Sequence, residues 1–276
     1  GNMYAIGIDI GTSTTKLAVI DEAYKVIITK RLEKEDQPML EWMIDKLSIE
    51  LGMNNENCKG CFLTGVGASF FEKDSLAGYP VCKVDEIKAI GAGGLQLAGV
   101  DSGLVVSIGT GTAFVNAEGN QYTHLGGSCL GGGTLVGLGK LLLNEDNSQS
   151  ISHMAEAGDM CNVDLCMVDV TKENVSFLPE DATAAHFAKV TDKTTSADVA
   201  RSLLNMISQN IAVMAFFCCQ NVNKKNVILI GGMTSLSQTG YDCSRVGELY
   251  HIDFKVPEHA SYAVAIGACV EGMPLL

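Results

Sequence analysis

An aspartate, a glycine, a run of hydroxyls and a lysine stand close together near the start of the chain: Asp9, Gly11, Thr12, Ser13, Thr14, Thr15 and Lys16. A carboxylate at the end of an apolar run can hold a divalent metal through water, and Gly11 lets the backbone approach an anion with no Cβ in the way. The hydroxyls and the N–H groups of such a turn are donors for phosphate oxygens, whose charge Lys16 can screen. A tight polar turn with an aspartate would contain the same residues, so the reading depends on recurrence. It recurs at Ser107-Ile108-Gly109-Thr110-Gly111-Thr112, again between two apolar runs. Neither turn is a Walker sequence, since no Gly-Lys-Ser/Thr follows, and neither is a glycine pattern opening a helix. Two donor-rich turns at the starts of two halves suit phosphates held in a cleft between the halves.

Asp85 and Glu86 come next in the chemistry. They follow a strand-like run and open a helical one, at the lip of a sheet where doubly wound folds present reactive groups. Phosphoryl transfer to an alcohol needs a group that orients the hydroxyl and takes its proton, and Glu86 is the candidate. Acids at this place also satisfy a helix dipole, a role that fits Asp85 better. Gly131-Gly132-Gly133 enters a helix; open N–H groups there suit a phosphate or a substrate amide, while close helix-to-sheet packing would need the same glycines. Gly231-Gly232 ends a buried strand and can lie flat against a base, although such a turn is common.

The elements that must position these residues follow from pattern. Residues 4–20 read as a β-hairpin and 24–32 as a third strand of an antiparallel meander. Pro38 opens a helix with Leu40, Met43, Ile44, Leu47 and Leu51 on one face, ended by Gly52, and Trp42 packs beside that face. Strands at 61–64 and 81–84 lead respectively into Gly65-Val66-Gly67-Ala68 and into the Glu86 helix. The second half repeats a strand pair through residue 122, then a helix to Leu143 and another from Ser148 to Gly158. Residues 181–188 read as short and helical, and Ser196-Ala197-Asp198 caps the longest helix, to about Asn221. Strands at 226–230 and 254–256 and a helix from Tyr262 to Glu271 close the chain; Ala265, Gly267 and Ala268 would bring that helix close to the nucleotide. The fold class is α/β in two lobes, residues 3–100 and 101–276, with no linker between them.

Composition narrows the partners. A net charge of −13 argues against nucleic acid or an anionic membrane surface. No stretch of about twenty consecutive apolar residues is present, so no membrane span is expected. Gly1-Asn2 ahead of Met3 is set aside as foreign to the fold. Ten cysteines suggest reduced thiols in the cytosol. Cys58 and Cys61 have the spacing of half a zinc or redox site, but no second pair completes it, and Cys218-Cys219 sits in an apolar helical run.

The paired turns resemble the PHOSPHATE 1 and PHOSPHATE 2 segments of the acetate and sugar kinase, Hsp70 and actin superfamily. Val227-Ile228-Leu229-Ile230-Gly231-Gly232-Met233 resembles its adenosine segment. Within that superfamily the chain most closely resembles the type II (eukaryotic-like) pantothenate kinases. This narrower resemblance rests on Val84-Asp85-Glu86, on Leu130 to Leu138 with its three glycines, and on Gly158-Asp159 followed by Val163-Asp164-Leu165. Leu178-Pro179 with Ala184-Ala185-His186-Phe187 completes it. It implies two ribonuclease H-like (actin-like ATPase) lobes with a nucleotide cleft between them, and ATP with Mg²⁺ as cofactors. It implies a cytoplasmic enzyme that phosphorylates pantothenate to 4'-phosphopantothenate, the first step of coenzyme A biosynthesis, and homodimer contact through the long helix. By resemblance Glu86 is the catalytic glutamate, Asp9 serves the metal, and Ser107, Thr110, His124 and Gly126 face the acceptor. One departure stands out. The family usually carries an arginine just before the glycine segment, where this chain has His124, shorter and only partly charged. Another cation such as Lys16 or Lys83 then serves, or the acceptor differs, or activity is weak or absent. The alternatives are a related small-alcohol kinase, a non-catalytic nucleotide-binding protein, or an activator-type ATPase bridging a cluster through Cys129 and Cys166.

Overall fold

Alternation of side chains lays out both halves of the molecule in the same way. In the computed structural model, which describes residues 2–172 and 178–276 and so leaves Gly1 outside the described residues, the chain opens with β1 (Tyr4–Ile10), β2 (Thr14–Asp21) and β3 (Val26–Glu33). After α1 (Leu40–Leu51) come β4 (Cys58–Thr64), β5 (Ser75–Leu76), β6 (Tyr79–Lys83) and α2 (Glu86–Ala98). The strands form one sheet in the order β3-β2-β1-β4-β6-β5, an antiparallel meander whose first strand continues parallel into β4 and β6. Ile6, Ile8 and Ile10 point to one side, into a core with Ile44 and Leu47 of α1. Ala5, Gly7 and Asp9 point to the other.

The second half repeats the plan. β7 (Ser102–Ile108), β8 (Thr112–Glu118) and β9 (Gln121–Ser128) form the meander, followed by α3 (Gly132–Leu143) and α4 (Ser148–Ala155). A small excursion carries β10 (Leu165–Cys166), α5 (Met167–Val170) and β11 (Thr183–Ala185). Then come α6 (Ser196–Val222), β12 (Asn226–Ile230), α7 (Ser237–Tyr250), β13 (Asp253–Lys255) and α8 (Ala263–Gly272). The sheet order β13-β12-β7-β8-β9, read from its other edge, matches β3-β2-β1-β4-β6 of the first sheet and lacks a counterpart of β5, with β12 and β13 parallel to β7. Leu104, Val106 and Ile108 face a core with α6, while Val105 faces the first half.

Between the two sheets lie α2 and α8, and they exchange sides. α8, at the end of the chain, packs on β1, β2 and β4; α2, from the first half, packs on β7, β8, β9 and β12. The division at residue 100 is therefore crossed in space by both helices. Their own crossing is backbone to backbone: a Cβ on Gly267 would collide with the Ala89 carbonyl, and one on Gly93 with the Ala263 carbonyl. Ala265 similarly lies against Gly7 of β1. Gly267 thus serves this crossing and Ala265 the approach to β1, and no residue of α8 is among those that line the cavity described below.

Other local differences have identifiable causes. The long helix is capped by Thr195, whose hydroxyl accepts from the Asp198 N–H at 3.2 Å while Asp198 accepts from the Thr195 N–H at 3.1 Å. By length and composition α6 would pass for a membrane span, yet Leu203, Ile207 and Ile211 are fully buried in the second core. Pro38 lies inside a 3-10 turn, Lys34–Met39, ahead of α1. Trp42 is 53% exposed beneath the Lys46 ammonium, 4.6 Å from the ring, and does not pack into the α1 face. Residues 183–185 form a strand and not a helix, and α7 was not anticipated at all. Cys161 and Cys166 are joined in a disulfide, a correction to the expectation of reduced thiols throughout.

Candidate functional site

The site grows from the end of β1. Asp9 sits opposite Lys16 on β2 and opposite Thr64 on β4, so that strand pairing alone sets an ammonium and a hydroxyl beside its carboxylate. Gly65 follows with φ +92°, and a Cβ there would press to 2.5 Å from Asp9 Oδ1 and 2.6 Å from the Ile10 carbonyl oxygen, so this position requires glycine. Thr64 Oγ1 is buried and has no hydrogen-bond partner among the described residues. Burial pushes the Asp9 carboxyl up to about 7, with Lys16 opposing the shift and Glu86 reinforcing it. Glu86, the first residue of α2, is itself held above the usual carboxylate range by burial and by neighbouring Asp85. Asp85 is the N-cap, accepting from the Lys88 N–H at 3.1 Å. Two carboxylates close enough to feel each other, beside an unpaired buried hydroxyl, form a donor set short of positive charge.

Both glycine turns close on a backbone hydrogen bond from their first glycine, to the third residue on in the first turn and to the second in the other. The Gly11 N–H donates to the Thr14 carbonyl at 2.9 Å, and the Gly109 N–H to the Gly111 carbonyl at 2.9 Å. They face each other, and the hydroxyls of Ser13 and Thr110 hydrogen-bond at 3.1 Å. Behind this contact opens a cavity of about 810 Å³ with walls from both halves. Lys16 crosses it, its Nζ lying where a Cβ on Gly232 would come within 2.9 Å. Burial lowers the Lys16 pKa, Asp9 opposes that effect and Arg31 adds to it.

The three-glycine helix entry is built differently from the expectation of open N–H groups. The Gly132 N–H donates to the Gly109 carbonyl at 2.7 Å, the Gly133 N–H to the Thr110 carbonyl at 3.0 Å and the Gly131 N–H to Thr134 Oγ1 at 3.2 Å. These glycines shape the second turn from behind, which requires close approach: a Cβ on Gly131 would lie 2.5 Å from the Thr110 carbonyl oxygen. Thr112, 6% exposed, ties the same region down by donating to the Leu130 carbonyl at 2.8 Å.

Of the residues singled out from sequence, Ser13, Thr14, Lys16, Gly109, Thr110, Gly132, Gly133 and Gly232 line the cavity. Gly11, Thr12 and Gly111 lie in the turns themselves. Thr15 is 2% exposed and faces the core on the far side of β2 from Thr14 and Lys16. Gly231, at φ +99°, packs its backbone on Ile108. Ser107 ends β7 as Asp9 ends β1, and on the same inward side. His124 and Gly126 lie on β9, flanking a register shift opposite Phe114 and Val115, and His124 is exposed outside the cavity lining. Lys83 is exposed at the end of β6 and also outside it. Sequence reasoning missed Arg31, Glu33 and Glu35 on the first wall, and Asp146 to Gln149, Ser235 and Tyr262 on the second. The signal for Arg31 is register, since it pairs directly with Lys16 across β2 and β3; that for Asn147 is its place as the N-cap of α4.

Comparison with known proteins bears on the family and the fold. The sequence profile of the family described as Fumble matches residues 102–271. A type II pantothenate kinase of Oceanobacillus iheyensis is 30% identical over 244 residues, covering 86% of this chain and 87% of the relative. One of Bacillus cereus (strain G9842) is 24% identical over 234 residues, 82% of each. Among solved structures, an activator of the 2-hydroxyisocaproyl-CoA dehydratase from Clostridium difficile with bound ADPNP superposes with a TM-score of 0.70 at 14% identity, covering 99% of this chain and 95% of the other. A ROK family glucokinase from Streptomyces griseus in complex with glucose and AMPPNP gives 0.59 at 14% identity, covering 97% and 98%. At these identities the structural likeness establishes the fold alone, that of the acetate and sugar kinase, Hsp70 and actin superfamily.

Proposed function

The chain belongs to the Fumble family, and from that premise we propose that it is an ATP-dependent kinase whose acceptor is the primary hydroxyl of pantothenate. The observation that carries the reading is the convergence of the two glycine turns, joined through Ser13 and Thr110, on one cavity, with Lys16 linking its lining to Asp9, which lies outside the lining and feels the charge of both Lys16 and Glu86. In this reading the Gly11 to Thr14 and Gly109 to Thr112 turns hold the phosphates through backbone and hydroxyl donors. Lys16 spans the cleft and offsets their charge. Gly232, Ser235 and the start of α4 border the base.

Glu86 does the proton work. Its raised proton affinity suits acceptance of the hydroxyl proton as the new oxygen–phosphorus bond forms and the bond to the ADP oxygen breaks. The residues around Asp9 fit a divalent cation, because a carboxylate made costly by burial and a buried hydroxyl without a partner both gain from one. Asp9, with the Thr64 hydroxyl, would hold Mg²⁺, which when bound neutralises charge on the phosphate oxygens. Asp9 itself then stays ionised near neutral pH. The activator-type alternative has little support here: Cys166 bonds Cys161, and Cys129 stands exposed between β9 and α3.

A coupled ATP-consumption assay with pantothenate, pantetheine and no acceptor tests the reading. Pantothenate-dependent consumption is expected. Consumption dependent on another alcohol would shift the acceptor, and nucleotide binding without transfer to any acceptor would remove the kinase assignment.

A further inference from the structure

We propose that Arg31 is a phosphate-binding residue of this cleft, with Glu33 as the carboxylate it exchanges for a phosphate. The proposal rests on the nucleotide reading above and adds to it a residue outside both glycine turns.

Three observations carry it. First, Arg31 lies directly opposite Lys16 in the β2–β3 register, and both line the same cavity wall. Like charges directly opposite in an antiparallel pair destabilise a sheet, and Arg31 indeed works against protonation of Lys16. An anion shared between the two side chains turns that repulsion into attraction. Second, the second half of the chain contributes no lysine or arginine to the described cavity lining, so the basic side chains of that lining are Lys16 and Arg31. Third, among the described residues the guanidinium is held by a single ion pair, Nη2 to Glu33 Oε1 at 3.1 Å, with the two side chains 44% and 50% exposed. A pair that open contributes little to folding and costs little to break. The guanidinium fork matches phosphate oxygens in a way that an ammonium does not. Glu33 and Glu35 line the same wall, and their charge keeps the arginine engaged until a more strongly anionic group arrives.

The test is calorimetric titration of AMP, ADP and a non-hydrolysable ATP analogue with Mg²⁺ into the wild-type chain, R31Q, R31K and E33Q, with circular dichroism as a check on folding. Losing one charge-assisted contact should weaken the triphosphate analogue about tenfold in R31Q. ADP should be weakened less and AMP hardly at all. R31K, which keeps the charge without the fork, should show an intermediate loss and carries the comparison if R31Q does not fold. E33Q should bind the analogue at least as tightly as wild type. Unchanged triphosphate affinity in the Arg31 variants, or equal losses for all three nucleotides, overturns the proposal. Absence of nucleotide binding by the wild-type chain would instead overturn the functional reading, and this inference with it.

Discussion

Replacing Asp9 by Asn should remove a pH-dependent cost that the wild-type protein carries between about pH 4 and pH 7. The Asp9 carboxyl titrates at about 7 in the folded protein, against about 3.9 in an unfolded chain. Below the lower value the group is protonated in both states and contributes nothing. As pH rises from there, the unfolded chain releases its proton while the folded one retains it, so stability falls through this window and the full cost is present above the folded pKa. A difference of roughly three units corresponds to about 4 kcal/mol. That figure is a ceiling, since Asp9 is only partly buried, and about 2 kcal/mol is the working expectation. Lys16 and Glu86 feel the Asp9 charge, so D9N also removes the support that Asp9 gives the Lys16 ammonium, which reduces the net gain. The assay is urea denaturation of wild type and D9N at about pH 4.5, 6 and 8 without nucleotide or divalent cation. D9N should gain on wild type as pH rises and lose Mg²⁺-dependent ATP binding. Parallel pH profiles, or D9N the less stable at the highest pH, would refute the argument that burial is what raises Asp9.

Glu86→Gln should lower turnover by about 10²- to 10⁴-fold while calorimetry finds affinity for a non-hydrolysable ATP analogue nearly unchanged; retained turnover removes Glu86 from the base role. Gly267→Ala drives a methyl group into the Ala89 carbonyl at the α2–α8 crossing and should cost about 1–3 kcal/mol in denaturation experiments. A wild-type midpoint would show that the helices are free to separate. Gly131→Ala presses on the Thr110 and Gly109 carbonyls, a strain of about 1–3 kcal/mol expected chiefly as weaker nucleotide binding. Loss of stability with nucleotide affinity intact would place the strain elsewhere.

Both meanders were legible because their strands are short apolar runs rich in β-branched residues, buried on both faces, as from Ala5 to Ile8 on β1 and from Leu104 to Val106 on β7. The turns between them were legible because glycine and hydroxyls interrupt those runs. α7 escaped notice because its inward face is built from Gln238, Thr239, Asp242 and Cys243. Asp242 is tolerated there only through a bidentate pair with Arg201 of α6, a partner 41 residues away that no local periodicity reports. The glycines before α3 were visible, but not the carbonyls that take their N–H groups. Arg31 belongs to no motif, and only the β2–β3 register brings it beside Lys16. The small residues of α8 announce close packing without naming the surface they meet.

The α2–α8 crossing fixes where the proposed base sits. Glu86 is the first residue of a helix whose body is clamped by the opposite sheet and by the chain's last helix. Glu86 is thereby tied to both sheets through packed helices, whereas the two glycine turns touch through an exposed hydroxyl pair at 3.1 Å. Were the sheets to shift, that contact would part before the carboxylate left its place.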